Sequence, residues 1–161
     1  MPKLINMNIL KAYITDRSNK KLFPNCGKNL KVFGKPYVEC GEQVFIGNDF
    51  RIGDGCKIIG RFNSPIIIGD DVTLSVNSII LASGYDIAHW MNTGIKQHLQ
   101  MQTSIGNHVW VGAGAIILGG VHITGEYVVI AAGSVVTSEI KENYCLYAGV
   151  PARLVKRYKQ I

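Results

Sequence analysis

The chain has 161 residues, with 17 Lys and Arg against 11 Asp and Glu for a formal charge of +6. Charged residues are only 17% and glycines number 18, which suits one domain built as a solenoid better than a disordered chain. No apolar run reaches the roughly 18 residues of a membrane span. The basic residues form no stripe with interleaved aromatics of the kind nucleic-acid binding uses.

Residues 1–29 read as a non-repeat lead-in, partly helical, with no signal-peptide pattern. From about residue 30 the chain changes character, and residues 30–150 form the main domain. Ile46, Ile52 and Ile58 are six apart and, after Asn63-Ser64-Pro65, so are Ile68, Leu74 and Ile80. A second series runs Ile105, Val111, Ile117 and Ile123, then Ile130 and Val136 after a one-residue slip at Gly125-Glu126. Neither a helix nor simple alternation produces a period of six. Hexads of this kind build a parallel β-helix, an all-β fold in which each hexad is one short strand and one corner. Three hexads close one triangular coil, and successive coils stack roughly 4.8 Å apart. The anchors point into the prism, and the small residues four places on (Cys56, Val72, Ser78, Val109, Ala115, Val121, Ser134) fit beside its corners. One coil cannot bury its own apolar face, so stability comes from stacking.

Residues 81–104 break the period. They gather Tyr85, Asp86, His89, Trp90 and His98, and a long insertion in a rigid solenoid marks function. Trp110 precedes the interior anchor Val111 and therefore points outward, an exposed aromatic in need of a partner. Pro151 sits at a plausible helix start with Arg153, Lys156, Arg157 and Lys159 after it, so residues 151–161 read as a short basic C-terminal helix. Cys26, Cys40, Cys56 and Cys145 show no zinc spacing, and no Cys-His arrangement supports a thiol nucleophile. Reduced thiols without a signal point to the cytoplasm.

Three segments in order, "VWVGAGAII", "AAGSVVT" and "AGVPARLVK", make residues 44–158 resemble the hexapeptide acyltransferases. The branch they look most like holds the maltose and galactoside O-acetyltransferases and those of capsule and exopolysaccharide synthesis. The resemblance implies a homotrimer of left-handed β-helices with acetyl-CoA lying in the groove between neighbours. It implies transfer of an acetyl group to a hydroxyl of a sugar or polysaccharide precursor. Trp110 becomes a wall of the acetyl site, and Ala113, Ala132, Thr137, Ser138, Arg153 and Lys156 match the family's CoA-binding positions. Ser138 departs from the usual basic residue there, leaving Lys141 or Lys156 to supply the phosphate contact. Zinc enzymes with a β-helix use two His five residues apart. His89, His98, His108 and His122 show no such pair, so no metal is expected.

In the family a His takes the acceptor's proton as its oxygen attacks the thioester, which contributes about 10² to 10⁴ in rate. Here that position is Tyr85, a poor base at neutral pH. His89 or His98 can replace it, or Tyr85 with Asp86 can orient the acceptor while water or substrate takes the proton. His108 and His122, inside the repeats, read as structural. Gly53 stands where the sugar enzymes carry a polar acceptor-binding residue, with Asp54 as a substitute. Two other readings stay open: a β-helical binding or scaffold protein that has lost its base, and N-acetylation of an amino sugar.

Overall fold

The computed structural model describes residues 21–160. Its strands form three parallel sheets, the faces of a triangular prism. The first face holds Asn25–Cys26, Val44–Ile46, Ile66–Ile68, Thr103–Ile105 and His122–Ile123. The second runs Lys31–Val32, Arg51–Ile52, Thr73–Leu74, Val109–Val111, Val128–Ile130 and Cys145–Gly149, with Ala152–Arg157 added at its end. The third holds Tyr37–Glu39, Lys57–Ile59, Ile79–Leu81, Ile116–Ile117 and Val135–Val136. This is the hexapeptide β-helix expected from the period of six.

The register explains why the period works. Ile46, Ile68, Ile105 and Ile123 pair in turn on the first face. Ile52, Leu74, Val111 and Ile130 do so on the second, and Ile58, Ile80, Ile117 and Val136 on the third. Every one of these anchors is at most 6% exposed, and burying such a side chain stabilises by about 1.5–3 kcal/mol. The small residues four places on are equally buried, including Cys56 and Ser78, whose Sγ and Oγ touch at 3.3 Å. Phe50 takes that position in an early coil and packs edge-on against Phe23.

Polar side chains at the exposed corners hydrogen-bond from one coil to the next. Asp70 Oδ1 accepts from the Asn48 N–H, Asn107 Oδ1 from the Asp70 N–H, and Asn143 Oδ1 from the Glu126 N–H. Each coil thereby caps the one before it.

Three expectations change or fall outside view. The parallel stack begins at Asn25–Cys26, paired with Phe45–Ile46, within the segment read as lead-in. Of the partly helical lead-in expected over residues 1–29, residues 1–20 lie outside the described residues. The basic C-terminal helix is instead a strand, Ala152–Arg157, antiparallel to Cys145–Gly149. The physical reason is the alternation after Pro151: Ala152 is buried and Leu154 half-buried, while Arg153 and Val155 face out. A strand of that pattern covers the unpaired backbone edge left by the last coil, and this overrides the proline's helix-start signal.

Candidate active site

The insertion leaves the prism after Ala82 and returns at Thr103, both buried. Between them Ser83–Tyr85 pairs antiparallel with His98–Gln100, and the turn holds helix α1, Ile87–Thr93. Asp86 caps that helix, its Oδ1 accepting from the His89 N–H at 2.9 Å. Gly94 ends it at φ 73°, donating its N–H to Trp90 O at 2.8 Å. No residue of the helix is buried. The ladder sets Tyr85 opposite His98, and their rings stack with centroids 4.3 Å apart. Of the four residues singled out for catalysis, Tyr85 and His98 are therefore in contact. Asp86 is committed to the helix cap, and His89 sits in the first turn it caps. The hairpin pairing that unites residues thirteen apart has no signal in the hexad pattern.

The second face carries the other half. Val109 and Val111 are buried and Trp110 between them is 54% exposed, flanked by Thr73 and Val129 on neighbouring strands. The indole N–H donates to Ser75 Oγ at 2.8 Å, which fixes the ring against the wall. At the next corner Ala113 and Ala132 lie on successive coils, joined by the Gly133 N–H donating to Ala113 O at 2.9 Å. Their methyl groups leave the edge low. Arg153 and Lys156 lie on the end strand, three strands beyond Trp110 or about 14 Å away. Arg153 Nη1 reaches Ala152 O, and the Lys156 ammonium rests 4.8 Å from the Tyr158 ring centroid. Thr137 and Ser138 follow the last strand of the third face and are exposed there, so they do not share Trp110's face. Lys141 pairs with Glu139 at 2.9 Å. Asp54 Oδ1 accepts from the Lys35 N–H at 2.7 Å, a corner role.

A recess of about 350 Å³ beside Trp110 is bounded by Asp71, Thr73, His108, Val109 and Tyr127. Asp71 accepts from Arg51 Nη1 at 2.8 Å through Oδ1 and meets His108 Nδ1 at 3.1 Å through Oδ2. The Arg51 contact, then that of His108, holds its carboxyl below the usual range. His108 stacks on Tyr127 at 4.4 Å, and Tyr127 on Tyr144 at 4.8 Å. The sequence reading missed this recess. Its signal is the third or fourth residue after each first-face anchor. His122, on the first face, meets Ser104 Oγ through Nδ1 at 2.8 Å. Among the described residues no three His, Cys, Asp or Glu side chains converge as a metal site, and no helix is long and apolar enough to cross a membrane.

No family model matches the chain. It is similar to a maltose O-acetyltransferase from Clostridium difficile 630, with TM-score 0.75 and 33% identity over 88% of this chain and 73% of that one. The chain belongs to the hexapeptide-repeat acetyltransferase family. Another relative of this hexapeptide-repeat protein is the galactoside O-acetyltransferase of Escherichia coli strain K12, 31% identical over 137 residues. That match takes in 85% of this chain, which spans 65% of the relative's length. A galactoside acetyltransferase solved in complex with coenzyme A aligns with TM-score 0.72 and 27% identity over 89% of this chain and 70% of that one.

Proposed function

We propose that this hexapeptide-repeat protein transfers an acetyl group from acetyl-CoA to a hydroxyl of a sugar or glycan precursor, with His98 as general base. The observation that carries this reading is the Tyr85–His98 contact. The family's base position holds a phenol, and the hairpin lays an imidazole flat against it. Histidine is the residue type suited to this proton transfer near neutral pH. His98 takes the proton of the acceptor hydroxyl as that oxygen bonds to the thioester carbonyl carbon. The tetrahedral oxyanion then collapses, the C–S bond breaks, and the imidazolium returns its proton to the departing CoA thiolate. Trp110 forms the flat wall of the acetyl end, the Ala113–Ala132 edge lets the pantetheine arm lie close, and Arg153 and Lys156 meet the phosphates through charge-assisted bonds.

The prism itself argues for a homotrimer. The insertion leaves from the vertex between the third and first faces, and Trp110 lies on the second face, opposite that vertex. One rigid chain holds base and wall apart, and a neighbouring copy brings them together. Thr137 and Ser138, off Trp110's face, then serve the adjacent groove. The free cysteines suit a reducing cytoplasm.

The test follows release of free CoA thiol with acetyl-CoA and a panel of sugars and glycosides. His98→Ala is expected to lower kcat by about 10² to 10⁴ with acetyl-CoA binding intact, while His89→Ala stays near the parent. Full turnover by His98→Ala removes His98 from the role. CoA binding without turnover on any acceptor favours the scaffold reading that Tyr85 suggests.

A further inference from the structure

No residue of Ser83–Tyr85, His98–Gln100 or helix α1 is buried. A two-stranded ribbon without a packed face is marginal by itself. The direction of the hairpin, and with it the place of the His98 ring, is therefore set where the insertion joins the prism.

That junction is rich in polar contacts. Among the described residues the buried polar side chains are Ser64, Ser78, Thr103 and Ser134. Two of them meet the returning leg of the insertion. Ser64 Oγ, in the coil before, accepts from the Met101 N–H at 3.1 Å. The Thr103 hydroxyl reaches further. It donates its one proton to Leu81 O at 2.6 Å, at the end of the outgoing strand, and accepts from the Gly120 N–H of the next coil at 3.1 Å. One oxygen ties both legs to each other and to the coil that follows. Packing does not call for that oxygen. At the same register in the two preceding coils stand Val44 and Ile66, apolar and fully buried. The column turns polar in the one coil that carries the insertion.

Gly119 and Gly120 give the two legs their seat. A methyl group at Gly119 would lie 2.8 Å from both the N and the O of Ser83, and one at Gly120 would lie 3.3 Å from Met101 Cε. We propose that Thr103 is a positioning residue: its hydroxyl anchors the root of the insertion and so sets His98 at the acetyl end of the groove. The proposal rests on the reading of His98 as the base of acetyl transfer. Its leverage follows from length. His98 stands three residues beyond Met101, or ~10 Å of extended chain, so a tilt of ~6° at the root moves the ring by about 1 Å. A misplacement of about 1 Å at a reacting group costs on the order of 10²-fold in rate.

Thr103→Val removes the hydroxyl and keeps the branched shape that suits this column. Thr103→Ser restores the hydroxyl. Gly119→Ala reaches the same root by a second route, pressing on the Ser83 backbone. Ser78→Ala is the control, a buried hydroxyl lost at the opposite end of the strand that leads to Leu81. Amide hydrogen exchange of residues 83–100 reads the hairpin on the intact protein. Release of CoA thiol with the panel of sugars and glycosides reads acetyl transfer, and thermal melting checks folding. Thr103→Val and Gly119→Ala are expected to speed exchange across the hairpin and to lower kcat about 10- to 100-fold, with the KM for acetyl-CoA unchanged. Thr103→Ser should return both to parental values, and Ser78→Ala should lower Tm while leaving both alone. Parental exchange in Thr103→Val overturns the anchor. Faster exchange with parental kcat overturns the positioning role, and an inactive His98→Ala protein then leaves the transfer reading standing. If the parent transfers to no acceptor, the transfer reading fails. Faster exchange in Thr103→Val, reversed in Thr103→Ser, then still supports the hydroxyl as the anchor that sets His98.

Discussion

A methyl group added at Gly112 would lie 2.6 Å from Ala132 N, 2.7 Å from Ile130 O and 2.8 Å from the carbonyl carbon of Ala131. All three are backbone atoms of the next coil, so no side chain can swing aside. Restoring ordinary contact, at 3.4 Å or more, means parting two coils joined by the Gly112 N–H to Ile130 O bond of 2.8 Å and the Gly133 N–H to Ala113 O bond of 2.9 Å. Overpacking of this kind costs about 1–3 kcal/mol, and stretching a buried hydrogen bond adds about 1 kcal/mol. Gly112→Ala is therefore expected to destabilise by about 3 kcal/mol, a drop in Tm of about 6–12 °C for a chain of this length. The same displacement moves Ala113 against Ala132, so acetyl-CoA affinity should fall as well. Gly114→Ala is the comparison: a methyl group there meets nothing within 4 Å, and the penalty is confined to φ 65°, about 1–2 kcal/mol. Urea unfolding and calorimetric titration with acetyl-CoA on both variants decide the matter. A Gly112→Ala protein as stable as Gly114→Ala, with parental acetyl-CoA affinity, would refute close packing of the coils at this corner.

Ile117, fully buried between Ile80 and Val136 on the third face, should cost about 2–5 kcal/mol as Ile117→Ala, whereas Ile116→Ala, on the outward side of the same strand, should cost much less by the same unfolding assay. Tyr147 donates to Glu142 Oε2 at 2.6 Å, and burial together with that bond pushes its hydroxyl up to about 12, while the bond holds the Glu142 carboxyl below its usual range. The tyrosine's contribution to stability is fully present below about 10 and is lost as pH rises through about 12, and the glutamate's is lost as pH falls through its lowered value. Tyr147→Phe should remove about 1 kcal/mol near neutrality and flatten the alkaline fall in Tm, and an unchanged alkaline profile would count against the pairing. Arg153→Ala and Lys156→Ala should each weaken CoA about tenfold while leaving pantetheine, which lacks the nucleotide phosphates, bound as before. Equal loss for both ligands would move these residues away from the phosphates.

The sequence by itself determined the prism. The requirement that every sixth side chain be branched and apolar, with small residues four places on, leaves no other periodic structure able to bury them, and all twelve anchors from Ile46 to Val136 line the interior. It also set Trp110 outward, because its neighbours Val109 and Val111 had to go in. The period is silent wherever it lapses. In the insertion only the antiparallel pairing of Ser83–Tyr85 with His98–Gln100 laid His98 on Tyr85. At the end of the chain an uncovered sheet edge took Ala152–Arg157 as a strand, although the local residues signalled a helix. The recess depends on residues as far apart as Asp71 and Tyr127 that share one corner only after the coils stack. Periodicity reports which side of one strand each residue faces. Contacts across coils depend on which strands become neighbours, and that belongs to the tertiary structure alone.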